Sequence, residues 1–234
     1  LMYSEGFDDY STARVRLVDG TVHVKFATVE VGQGFVTLAQ QIARTELGIE
    51  DVVLDRIDTG VGSAGSTSAS RQTWMSGGAV LGACRLVRDR LLALVADREG
   101  LDAATLSLDG TDIVDAAGVL RIPVAVAAAG ADIDETFEHH HPATEDLDEL
   151  GQGNCHTAFA FCAHRAVVDV DTELGLVKVV QIATSQDVGR VLNPLSVLGQ
   201  VEGGIIMGIG HALTEAEVGV FGAEHREGLA VDAR

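Results

Sequence analysis

Residues Asp187–Glu215, DVGRVLNPLSVLGQVEGGIIMGIGHALTE, decide how the rest of the chain is read. Asn193 before Pro194 reads as an N-cap and first helical residue: the asparagine oxygen can take an orphan N–H, and proline has none to leave unpaired. The helix that follows carries Gly199, Gly203, Gly204, Gly208 and Gly210. Each interior glycine costs about 0.8–1 kcal/mol relative to alanine, so five cost roughly 4–5 kcal/mol. Two readings account for them. Either small residues let another backbone pack closely, or the helix start approaches a bulky bound molecule to which Gln200 offers directed hydrogen bonds.

Working outward, Leu176–Ile182 and the preceding Thr157–Asp171 alternate around Asp171–Gly175 as a long hairpin feeding this helix. The N-terminal part repeats the order. Residues 12–17 and 22–27 alternate around Asp19-Gly20, a strong hairpin signal, and run into Glu30-Val31-Gly32-Gln33-Gly34. Leu38, Ile42 and Leu47 then mark a helix that Gly48 stops. A short strand at Val52–Ile57 and a loop of small residues from Thr59 to Ser70 follow. Val80, Cys84, Val87, Leu91 and Leu94 line one face of what should be the longest helix. Between Gly100 and Asp148 the signals are a hairpin around Asp109-Gly110, a short helix from Pro123 and an acidic loop over residues 145–149. The expected fold class is α+β: β-hairpins each followed by a glycine-led helix, in two similar subdomains. Halves at 1–130 and 131–234 are the candidate division.

Composition limits the function classes. The 234 residues are 47% apolar with 35 acidic against 16 basic side chains, a formal charge of −19. That size supports one large or two modest domains, and that charge repels a phosphate backbone, so no nucleic acid is expected. No apolar run reaches the roughly 18 residues of a membrane span. Leu1 in place of methionine, with no basic and apolar leader behind it, suggests a piece of a longer polypeptide. Cys84, Cys155 and Cys162 read as reduced thiols of a cytoplasmic protein. Three cysteines cannot supply the four ligands of an iron–sulfur cluster.

Several short motifs invite chemistry. The loop Gly62–Ser70 offers hydroxyls and free N–H groups before a helix, a place for an anion such as a phosphate; composition alone favours a solvated capping loop. Without a Gly-Lys-Ser/Thr element it is no Walker site. Gln33 reads as a ligand amide or as a cap for its own helix, and Gly151-Gln152-Gly153 shows how readily the tripeptide arises. His139-His140-His141 reads as the polar end of a strand before Pro142, and the set Cys155, His156, Cys162, His164 lacks the separated pairs of a structural zinc site. No nucleophile elbow is present.

Taken together, Glu30–Gly34, Gly65–Gln72, Asp187–Gly189, Asn193-Pro194 and Gly199-Gln200-Val201-Glu202-Gly203 resemble, in order and spacing, the molybdenum-cofactor-binding subunit of the xanthine dehydrogenase/aldehyde oxidase family. The resemblance covers residues 3–217 and is closest to bacterial xanthine dehydrogenases. It implies a molybdopterin cofactor with molybdenum, also found as its cytosine dinucleotide, and hydroxylation of purines such as xanthine or hypoxanthine with oxygen from water. Electrons would pass to iron–sulfur clusters and FAD on partner domains or subunits of an oligomer. By resemblance, Gln33 and Gln200 bond the pterin or its phosphate, with Gly32, Gly34 and Gly199 allowing close approach. Thr67, Ser68, Ala69, Ser70 and Gln72 form the loop beside the cofactor, and Ser68 and Ala69 are small enough to leave room for substrate. The family's general base, a glutamate in a Gly-x-Gly-Glu segment beyond the Gly-Gln helix, does not occur in these residues. No catalytic or metal-ligating residue is therefore expected here, and this chain alone should be inactive. An aldehyde or carbon monoxide dehydrogenase subunit and a non-catalytic assembly module remain alternatives.

Overall fold

The computed structural model describes residues 9–67, 71–157 and 159–214. It forms two compact units, within residues 1–161 and 162–234.

In the first unit, β1 (Tyr10–Val18) and β2 (Thr21–Phe26) form the expected hairpin. Asp19 and Gly20 both have positive φ, 48° and 84°, the mirror-image turn whose twist matches the flanking strands. α1 (Phe35–Leu47) follows and is closed by Gly48 in the left-handed region, whose N–H bonds the Arg44 carbonyl. β3 (Val52–Leu54) returns parallel to β2, pairing Val22 with Val52. The longest helix is α2 (Arg71–Glu99). β4 (Leu106–Asp109) and β5 (Asp112–Asp115) make the hairpin around Asp109-Gly110, with β6 (Arg121–Pro123) beside them and the one-turn α3 (Val124–Ala127) behind Pro123.

β7 (Asp132–His140) completes the main sheet, in the order β3-β2-β1-β7. A division into halves at 130/131 would assign β7 to the second half, yet it bonds β1 along its whole length, from Tyr10↔His140 to Val18↔Asp132.

Alternation sorts the sheet faces as a period of two requires. Ala13, Val15, Leu17, Val22, Val24 and Phe26 are buried in one core with Phe35, Ala39, Ala43 and Leu47 of α1 and Val80, Cys84, Val87 and Leu91 of α2. The opposite face carries ion pairs, among them Arg14 with Asp134 and Lys25 with Asp58. One expected core position differs: Leu94 is 43% exposed and Val95, 1% exposed, takes its place. Positions 84, 91 and 95 stay on one stripe at 3.6 residues per turn, whereas 94 rotates off it.

Two helix glycines answer β7 directly. A Cβ on Gly82 would overlap the Phe137 ring, and one on Gly78 would fall 2.6 Å from the His139 ring. Gly82→Ala should therefore lower stability by about 1 kcal/mol net: overpacking costs about 1–3 kcal/mol and improved helix propensity returns about 1. Urea unfolding checks this, and an unchanged or raised midpoint would show that Phe137 moves aside freely.

The second unit contains the hairpin β8 (Phe161–Asp171) and β9 (Leu176–Asp187), and α4 (Pro194–Thr214). Asn193 Oδ1 accepts from the Ser196 N–H at 3.1 Å, which is the expected cap in front of Pro194.

Candidate functional site

The turn between β2 and α1 is built on Glu30. Its Oε1 accepts from the N–H groups of Gly32 (2.8 Å) and Gly34 (3.0 Å), and its Oε2 from that of Val36 (3.0 Å). The carboxylate thus occupies the orphan donors of the α1 N-terminus. Burial pushes its pKa up, but the N–H groups of Gly34, Val36, Gly32 and Phe35 outweigh that, and the net shift is downward.

Gly32 and Gly34 have φ of 101° and 87°, values that a side chain would strain. Gln33 does not cap the helix. Its Oε1 accepts from Val31 N–H at 2.7 Å and its Nε2 donates to the Val29 carbonyl at 2.9 Å. Both ends of the amide are fixed by its own turn, which leaves one Nε2 hydrogen without an acceptor among the described residues.

The loop before α2 hangs on Arg71, which is 1% exposed. Its Nε and Nη2 clasp Asp9 Oδ2 and Oδ1 at 2.7 and 2.6 Å, and Nη2 also donates to the Tyr10 carbonyl at 3.2 Å. Nη1 donates to the carbonyls of Ala64 (2.6 Å) and Ser66 (3.1 Å). A single guanidinium therefore ties the loop to the start of β1. Gly65, at φ 60°, is a glycine because a Cβ there would overlap that guanidinium.

Gln72, 8% exposed, donates from Nε2 to the Ser66 carbonyl and to Thr67 Oγ1, both at 3.0 Å. Its Oε1 accepts from Ser76 Oγ at 2.6 Å. Ser76 in turn lies within hydrogen-bond distance of Ser11 Oγ (3.1 Å) and Thr28 Oγ1 (2.8 Å). Thr28 lies just ahead of the Glu30 turn, so hydrogen bonds connect the segment leading to Gln33 with the loop carrying Thr67.

Of the residues assigned by resemblance, Gly32, Gln33 and Gly34 form one turn, and Thr67 and Gln72 are bonded to each other. Ser68, Ala69 and Ser70 lie outside the described residues. Gly199 and Gln200 belong to the second unit and are exposed on α4, in its second turn and not at its first residue. No described neighbour comes within 4 Å of where a Cβ would stand at Gly199, Gly203, Gly204 or Gly208. Close packing by described residues of the second unit therefore does not account for these glycines.

The histidine run is divided among unrelated partners. His139 lodges against Gly78, His140 stacks on Tyr10 at 5.5 Å, and His141 Nδ1 lies 2.6 Å from the Pro142 carbonyl. Burial, with His140 and His141 nearby, pushes the His139 pKa down. Cys84 is a core thiol pushed up to about 12 by burial and by Glu46, which makes it unreactive. Among the described residues no group of three or more His, Cys, Asp or Glu side chains is placed to hold a metal ion. No described helix is long and apolar enough to cross a membrane.

Glu30, Arg71 and Ser76 carry this architecture, and the sequence reading gave none of them a role. For Glu30 the available signal was a carboxylate just ahead of a Gly-x-Gly helix start. For Arg71 it was a cation at the very start of a helix, where the helix dipole disfavours positive charge unless a carboxylate meets it.

Comparison with known proteins adds a family to this geometry. Residues 2–219 match the family described as Molybdopterin cofactor-binding domain. The chain is 30% identical over 227 residues to the nicotine 6-hydroxylase large subunit of Paenarthrobacter nicotinovorans, covering 92% of this chain and 27% of that protein. It is also 30% identical over 202 residues to a putative xanthine dehydrogenase molybdenum-binding subunit of Escherichia coli K12, covering 84% and 26%. The equal identities do not single out xanthine dehydrogenase.

The fold is similar to that of quinoline 2-oxidoreductase from Pseudomonas putida 86, with a TM-score of 0.73 at 23% identity over 86% of this chain and 26% of that one. The chain thus spans about a quarter of the length of the curated relatives it matches. With a family match that extends over nearly all its residues, this chain belongs to the molybdopterin cofactor-binding domain family of molybdenum-dependent oxidoreductases.

Proposed function

We propose that this chain is the part of a molybdenum hydroxylase subunit that holds a molybdopterin cofactor, and that the whole protein hydroxylates purines such as xanthine or hypoxanthine with oxygen from water. The family match over residues 2–219 carries this reading. Two relatives are named for nicotine and for xanthine, both nitrogen-bearing rings, which favours an electron-poor ring carbon as the site of attack. When bound, the cofactor supplies a Lewis-acidic metal and a two-electron redox centre.

The residues fit such a group. Gln33 and Thr67 are neutral donors, the Arg71 charge is met by Asp9, and beyond its chain neighbours no described residue comes within 4 Å of where a Cβ would stand at Gly32, which leaves open backbone for a bulky ring. Gln33 and Gln200 bind the cofactor, Gly32, Gly34 and Gly199 admit it, and Thr67 with Ser68, Ala69 and Ser70 lies beside it. Electrons leave to iron–sulfur and flavin partners in a cytoplasmic oligomer. The catalytic base lies outside residues 1–234, so this chain by itself is inactive.

The test is molybdenum and pterin content of the full-length protein, followed by turnover of xanthine, hypoxanthine and nicotine with a dye acceptor. Bound molybdenum with purine turnover is expected. Absence of both metal and pterin would overturn the cofactor reading, and turnover of nicotine without xanthine would overturn the purine assignment. Gln200→Ala in the same protein should weaken cofactor retention by about fivefold, the worth of one net hydrogen bond, with the unfolding midpoint unchanged. Unaltered molybdenum content would remove Gln200 from the site.

A further inference from the structure

The hydrogen bonds around Gln72 have a fixed direction that follows from donor and acceptor chemistry alone. The Ser66 carbonyl can only accept, so the Gln72 atom 3.0 Å from it is the NH2 group. The other end of the amide is then Oε1, which can only accept, so Ser76 gives it its single hydroxyl hydrogen across 2.6 Å. Having donated, Ser76 must accept from both Ser11 and Thr28. The second hydrogen of Gln72 Nε2 goes to Thr67 Oγ1 at 3.0 Å, and an amide nitrogen cannot accept in return. The hydroxyl hydrogen of Thr67 is therefore turned away from Gln72, and no described residue takes it. One of its oxygen lone pairs is used by Gln72, and its hydroxyl hydrogen remains to be offered outward as a donor.

We propose that Gln72 is a positioning residue and not itself a ligand: with Ser76 it polarises Thr67 into an outward hydrogen-bond donor, so that whatever binds against this loop presents an acceptor oxygen to Thr67. This rests on the reading above that the loop lies beside the cofactor, whose phosphate and oxo oxygens are acceptors of that kind. It changes the part played by Gln72, whose three strong hydrogen-bonding positions are all engaged inside the protein. A chain of buried hydroxyls leading from strand to loop makes the choice of donor or acceptor at Thr67 a property of the fold.

The experiment compares Thr67→Val, Thr67→Ser, Gln72→Glu and the Thr67→Val/Gln72→Glu pair in the full-length protein. Molybdenum and pterin per polypeptide after extended dialysis are read alongside the unfolding midpoint. Glutamate cannot donate, so in Gln72→Glu the Thr67 hydrogen turns inward to the new carboxylate. Thr67→Val and Gln72→Glu should each retain about tenfold less cofactor, the worth of a hydrogen bond to a charged oxygen. Thr67→Ser should hold it like the parent, and the double variant should lose no more than Thr67→Val.

Full retention in Thr67→Val would overturn the proposal. So would a further loss in the double variant, which would put Gln72 itself on the ligand. If Gln72→Glu does not fold, the valine and serine variants of Thr67 decide alone. Parent protein free of molybdenum and pterin would remove the cofactor reading and this proposal together, whereas a loaded parent with loaded Thr67→Val removes only the proposal.

Discussion

Arg71→Met is expected to destabilise the protein by about 3 kcal/mol, since removing one partner of a buried ion pair leaves the other charge uncompensated. The aliphatic stem is kept, so the loss reports the guanidinium. Asp9 would lose both its bonds, and the carbonyls of Tyr10, Ala64 and Ser66 would each lose a donor. Asp9 is a quarter exposed, so water recovers part of its solvation and keeps the figure near the lower end of the usual range. Against a total stability of about 5–15 kcal/mol this is a large share.

Differential scanning calorimetry should show the midpoint falling by about 10 °C. Asp9→Asn, which keeps an acceptor oxygen, should cost less than half as much. Equal losses in the two variants, or a loss below about 1 kcal/mol in Arg71→Met, would mean that the loop is held by something other than this clasp.

Glu30→Ala should cost about 2 kcal/mol at neutral pH, the upper part of the range for a helix cap, because three N–H groups lose a charged acceptor. The effect has a pH signature. The Glu30 pKa is lowered in the folded protein, so its stabilisation is fully present above the unfolded carboxyl pKa of about 4.3 and is lost as pH falls through the folded value. Parent and variant should therefore differ at pH 7 and converge only once the pH has fallen below the lowered folded value. Urea unfolding at several pH values measures this. A gap that persists unchanged into acid would show that the side chain stabilises the turn by packing. Because the same carboxylate holds Gly32 and Gly34 in place, Glu30→Ala should also loosen the backbone on which Gln33 stands.

What the sequence determined by itself was local. The Asp19-Gly20 turn, the Gly48 stop, the Asn193-Pro194 start and the Asp109-Gly110 hairpin are set by residues within a few positions of one another. Backbone sterics and capping act over that range, and their chemistry can be read directly from the letters. The family was legible for a related reason: the order of short glycine and glutamine motifs survives in the linear chain, although each is weak alone.

Tertiary structure decided the rest. β7 joins β1 across more than a hundred residues, and the pattern of neither strand names the other. Arg71 meets Asp9 from 62 positions away, and Ser76 meets Ser11 from 65. At these separations a buried charge or hydroxyl takes whichever partner the packed core brings to it, since leaving it unpaired would cost more than any local preference supplies. Gln72 shows the difference: the sequence offers an amide, and only the packed neighbours Ser66, Thr67 and Ser76 determine which of its atoms give and which receive.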